Sequence, residues 1–135
     1  MVVKGMRVEI RRDVLRAILA WAGERHPYEI VLLLRGKVGK EVATVEEFLF
    51  PPFASGGRGS ARFPAHMLPI DFSVIGTIHS HPTGVPRPST TDLNQFYGKI
   101  MMIMAHPYRE DCVCAYNSRG EPLKIKVIES RGDPA

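Results

Sequence analysis

Two histidines separated by one residue, His79-Ser80-His81, and an aspartate eleven positions further on, Asp92, are the side chains here best suited to hold a metal. On a strand, residues i and i+2 project from the same face, so both imidazoles can reach one ion. Asp92 falls in the first turn of what reads as a helix, and the loop before it can fold back to supply a third ligand. Zinc accepts His nitrogen at about 2.0–2.1 Å and carboxylate oxygen at about 2.0–2.2 Å. Three protein ligands with a fourth position left for water make a catalytic site, whereas structural sites close all four. Ser89, just ahead of that helix, reads as an N-cap. Ser80 points away from the histidines and receives no chemistry. A bare His-x-His also occurs by chance on surfaces, so the pair does not decide alone.

Other His-x-His chemistries fail by inspection. A metallo-β-lactamase-type site wants Asp two residues after the second His, where Thr83 stands. A zinc deaminase needs a Cys-x-x-Cys pair, a cupin an acid within residues 82–89, and a TIM-barrel amidohydrolase about 250 residues; none is present. The run His79-Ser80-His81, seven residues, Ser89, two residues, Asp92 resembles the JAMM (MPN+) metalloprotease motif, His-Ser/Thr-His, seven residues, Ser, two residues, Asp. The family also carries an upstream glutamate opening an apolar strand that ends in Gly, and residues 27–36 (Pro-Tyr-Glu-Ile-Val-Leu-Leu-Leu-Arg-Gly) look like that segment. Glu29 opens the strand; nearby Glu24 belongs to the preceding helix. The likeness spans about residues 6–128.

The resemblance implies that His79, His81 and Asp92 hold one catalytic Zn2+. It implies Glu29 as general base toward the attacking water and proton donor to the leaving amine, and Ser89 as a donor to the oxyanion. It implies a cytidine-deaminase-like α/β/α fold over residues 1–135 as a single domain. The activity implied is hydrolysis after the C-terminal Gly-Gly of ubiquitin-like modifiers, removing them from target proteins. Processing of a β-grasp sulfur-carrier protein is an alternative within the same chemistry, and a non-catalytic scaffold of the same fold is an alternative outside it. Residues 54–61 lie where such proteins carry an insertion beside the groove, which could order as a strand against an extended tail.

The elements that must position these groups follow from periodicity. Met6, Val8 and Ile10 alternate with charged residues and predict a half-buried strand. Val14, Leu15, Ile18, Leu19, Trp21 and Ala22 fall at helical spacing, with Asp13 at the start and Gly23 and His26-Pro27 at the end. Residues 29–35 suit a strand covered on both faces. Residues 36–40 turn the chain into a strand over 41–50, and the Gly/Ser-rich 54–61 reads as a mobile loop. Strands over 72–79, 99–105, 111–116 and 123–128, with a helix from Ser89 or Thr90 through Tyr97, complete an α/β order with a central mixed sheet flanked by helices.

Composition sets the remaining bounds. The 135 residues fit one domain, and 44% hydrophobic with 24% charged is an ordinary globular balance. The longest apolar run, residues 100–105, is far short of the roughly 20 needed to span a bilayer, and residues 1–7 show no export signal. A cytoplasmic protein without membrane contact is expected. The net charge of +4 is scattered rather than striped, which argues against nucleic acid and is compatible with an acidic protein partner. Cys112 and Cys114 read as buried free thiols on one strand face. His66 and His106 read as exposed bystanders, while His26 adjoins the Glu29 segment. Met101, Met102 and Met104 suit a core strand, or else part of a weak homodimer face. Two Asn and one Gln among many Arg, Lys and Glu suggest a hot habitat.

Overall fold

Val8 and Ile10 are fully buried while Arg7, Glu9 and Arg11 alternate with them, so the first period-2 segment lays one apolar edge into the core. The computed structural model describes residues 6–51, 55–57, 60–62 and 73–129. β1 (Arg7–Arg11) runs directly into α1 (Arg12–Arg25), followed by β2 (Val31–Val38), β3 (Val42–Leu49), β4 (Ser55–Gly57) and β5 (Ser60–Arg62). After them come β6 (Val74–His81), α2 (Thr90–Asn94), β7 (Ile100–Ala105), a 3-10 turn at Glu110–Cys112, β8 (Val113–Tyr116) and β9 (Pro122–Ile128). Seven strands form one mixed sheet in the order β1-β3-β2-β6-β7-β8-β9. The sheet closes on itself because β1 pairs in parallel with both β3 and β9. The expected α/β class and mixed sheet stand.

One large core draws on every strand of this sheet and on α1, through Leu15, Ile18, Leu19 and Ala22. The helix N-cap, Arg11, makes no side-chain capping bond. Burial of Leu15, Ile18 and Leu19 is worth roughly 1.5–3 kcal/mol each, against about 1 kcal/mol for a good cap, so packing decides this helix. Asp13 sits in the first turn, where its carboxylate complements the helix N-terminus, accepts from the Val14 amide at 2.9 Å and pairs with Arg11. A smaller cluster lies on the opposite side of the sheet, where Met101, Ile103 and Tyr116 are covered by Phe96 and Cys114. The three methionines of β7 are all buried in a strand paired on both sides, so they fill the interior and offer no dimer face.

Several boundaries differ from the sequence reading for physical reasons. α1 continues through Gly23 and stops where His26 precedes a proline, a position that disfavours helix. β2 continues through Gly36 with a register shift there, so the turn comes later than residue 36. A Cβ on Gly36 would lie 1.8 Å from the Thr44 carbonyl oxygen, which only glycine avoids. Within the 54–61 segment, Ser55–Gly57 and Ser60–Arg62 pair as an antiparallel ladder, Ser55 opposite Arg62, while residues 54, 58 and 59 lie outside the described residues. α2 spans five residues and buries none of them, so it is no full helical layer; Phe96 and Tyr97 lie beyond it. Gly98, at φ +82°, then turns the chain into β7. Cys112 lies in the 3-10 turn and Cys114 in β8, and both thiols are free and only partly buried, so they share no buried face. Among the described residues no helix is long and apolar enough to cross a membrane.

Candidate metal centre

Register places the chemistry on one face of the sheet. In β6, His79 pairs with Ile103 and His81 with Ala105 of β7, while Ser80 pairs with Met104. The two imidazoles therefore project on the side of Met101 and Ile103, and Ser80 projects into the large core, where it is fully buried. Val31 of β2 stands opposite His79 in the last pair of that ladder, Ile30 packs against the large core, and Glu29 precedes them just outside the strand. Glu29 acts electrostatically on both His81 and Tyr108, as a carboxylate beside the imidazole pair would. Glu24 is exposed on α1.

Asp92 reaches this face from α2, and a capping box sets its angle. The Ser89 hydroxyl accepts from the Asp92 amide at 3.0 Å, and the Ser89 amide donates to Asp92 Oδ2 at 2.8 Å. The same Oδ2 stands 3.2 Å from His81 Nε2 and 3.4 Å from His79 Nε2, and the two Nε2 atoms are 3.1 Å apart. Zinc bonds of about 2.0–2.2 Å at tetrahedral angles separate neighbouring ligand atoms by about 3.3–3.6 Å. The three atoms thus approximate one triangular face of a zinc tetrahedron, and the donor set of two imidazoles and a carboxylate suits that ion.

The electrostatics point the same way. His81 Nδ1 donates to the Val85 carbonyl at 2.6 Å, which leaves Nε2 of the neutral ring as a lone pair facing Asp92. Two electron-rich atoms at that distance require a cation or proton between them. Burial opposes charging of His81, yet Asp92 and the Val85 carbonyl raise its pKa overall. Burial would likewise raise Asp92, but the His79 and His81 imidazoles and the Ser89 amide beside it hold its carboxyl well below the usual carboxylate range. The loop that supplies Val85 is itself tied down, because Tyr116 Oη donates to the Pro86 carbonyl at 2.6 Å. Burial pushes the Tyr116 phenol up to about 12, which keeps it a neutral donor.

Comparison with known proteins agrees with this geometry. The family model of prokaryotic homologs of the JAB domain matches residues 11–116. A Haloferax volcanii protein described as a probable metalloprotease is 35% identical over 130 residues, covering 91% of this chain and 81% of its own. The chain belongs to the JAMM/MPN+ metalloprotease family. A JAB1/MPN domain protein from Archaeoglobus fulgidus superposes with a TM-score of 0.68 at 35% identity, covering 92% of this chain and all of that one. A structure described as JAMM, a metalloprotease-like zinc site in the proteasome and signalosome, gives 0.63 at 32% identity, with 92% and 98% covered.

Around this cluster, several contacts carry no sequence signal. Val85 contributes only a backbone carbonyl, so any residue type could stand there. Tyr116 comes from a strand remote in sequence. His26, next to the Glu29 segment, bonds Tyr108 Oη through Nδ1 at 2.8 Å and stacks on His106, with ring centroids 4.2 Å apart. His106 is exposed, as expected, and its ring stacks on His26. His66 lies outside the described residues.

Proposed function

We propose that this metalloprotease is a zinc isopeptidase that hydrolyses the bond after the C-terminal Gly-Gly of a ubiquitin-like, β-grasp modifier and so releases it from target proteins. The observation that supports the reading is the cluster of ligand atoms from His79, His81 and Asp92, with a carboxylate, Glu29, near enough to act electrostatically on His81. His79, His81 and Asp92 would hold one catalytic zinc. Bound there, zinc supplies a Lewis acid that lowers the pKa of water to about 7 and polarises a carbonyl. Glu29 takes the proton of the attacking water as the C–O bond forms, then delivers it to the leaving nitrogen as the C–N bond breaks, yielding a carboxylate and an amine. The Ser89 hydroxyl already accepts from the Asp92 amide and keeps its own proton to donate to the oxyanion. Gly-Gly suits the place because a backbone without Cβ atoms can approach closely. The relative described as a metalloprotease-like zinc site supports the zinc-dependent hydrolysis in this reading.

The test is a panel of zinc-loaded protein with Lys-linked and linear ubiquitin-like substrates, read for cleavage with and without chelator. Cleavage of the Lys-linked conjugate, abolished by chelation, is expected. The Glu29→Gln variant is expected to retain zinc and lose about 10²–10⁴ in kcat, the usual contribution of a positioned base. Full activity of Glu29→Gln, or cleavage of linear adducts only, would overturn the proposal.

A further inference from the structure

Strands β2 and β6 pair in antiparallel register as far as Val31 opposite His79. One residue beyond, the ladder changes character. The Ser80 amide donates to the Ile30 carbonyl at 3.0 Å, as a continued ladder would require. The Ile30 amide, however, is taken at 2.9 Å by the Ser80 hydroxyl, which stands in for the backbone carbonyl of a regular pair. Ser80 is fully buried and faces the apolar core, where a hydroxyl needs an internal partner. The amide it holds belongs to the planar peptide unit joining Glu29 to Ile30, so fixing that N–H fixes the plane from which the Glu29 side chain departs.

We propose that Ser80 is a positioning residue for Glu29: its buried hydroxyl sets the Glu29–Ile30 peptide plane and thereby aims the carboxylate at the face carrying His79, His81 and Asp92. The role rests on Glu29 being the base. It gives the middle residue of the His-x-His motif a task independent of metal binding, since its side chain lies on the other side of the strand from both imidazoles.

The test compares Ser80→Ala, Ser80→Cys and Ser80→Thr as zinc-loaded full-length protein on a Lys-linked ubiquitin-like conjugate, with zinc content and amide exchange measured alongside. Ser80→Ala is expected to keep zinc and KM while kcat falls about ten- to a hundredfold, the scale of a small misplacement of a reacting group. Exchange at the Ile30 amide is expected to rise about tenfold or more while β7 amides stay protected. Ser80→Thr, which keeps the hydroxyl and suits a strand, restores both; Ser80→Cys, a weak acceptor of nearly the same shape, does not. The cysteine and threonine variants carry the comparison if the alanine variant fails to fold. Normal kcat in Ser80→Cys, or zinc loss in parallel with kcat, would overturn the positioning role. Full activity of Glu29→Gln would instead sink the base assignment, and this role with it.

Discussion

Asp92 Oδ2 is the most shared atom of the centre, facing two imidazole nitrogens and the Ser89 amide at once. Ligand and cap can therefore be separated by substitution. His81→Ala and Asp92→Ala remove donor atoms, so zinc content and hydrolysis are expected to fall together. Ser89→Ala keeps the amide that orients Asp92 and loses only the hydroxyl. It is expected to cost about 1 kcal/mol as a cap and to leave zinc in place. Its kcat is expected to drop by about 10²–10³, as when an oxyanion donor is removed. Metal analysis and kinetics on the same preparations check the split, and zinc loss in Ser89→Ala would deny the separation. Residue types and spacing make the grouping of His79, His81 and Asp92, and Ser89 as the cap of α2, legible in the sequence itself. Ser80 is not, because facing the core looks like the absence of a role until the partner of its hydroxyl is visible. Val85 leaves no trace at all, since it serves through its backbone.

The loop of residues 82–88 matters because it carries the carbonyl that orients His81. Its hold on the sheet runs through Tyr116, whose hydroxyl crosses from β8 to Pro86. Tyr116→Phe removes that bond and little volume. Groups that orient metal-ligating histidines are worth about 10–100-fold in metal affinity when lost outright. A brace one bond further away is expected to weaken zinc binding about three- to tenfold, with the fold retained. Competition with a chromophoric chelator measures it, and unchanged affinity would show that the loop holds Val85 without Tyr116. Strands with clear alternation or continuous apolar runs are legible within two residues or so. Where element boundaries depart from the sequence pattern, tertiary context overrides a local signal. Gly36 reads as a turn because glycine usually marks one, whereas the close approach of β3 demands it inside a strand. Phe96 and Tyr97 read as helix by spacing, yet Phe96 instead covers Met101 and Ile103 beyond the end of α2.

Closure of the sheet through the β1–β9 pair joins segments from opposite ends of the described chain, and no local pattern announces such a pairing. It also determines how the metal couples to the rest of the molecule. His79 and His81 sit on β6, flanked by β2 and β7 and backed by the large core, so their strand is held without zinc. Asp92 sits on a five-residue helix that buries nothing, held by its capping box and by the ligand contacts. Zinc removal should therefore be felt unevenly. At free zinc near a hundred times Kd, linkage contributes about 2.7 kcal/mol to global stability, so chelation is expected to lower Tm by roughly 10 °C in a domain of this size. Amide exchange should accelerate mainly over residues 82–97, where little apolar burial resists opening, while β2, β6 and β7 keep their protection. Exchange mapping of zinc-loaded and chelated protein distinguishes the cases. Acceleration spread equally over β6 and β7 would mean that the ion holds the sheet itself, and that three ligands on a preformed strand and a tethered turn is the wrong picture of this centre.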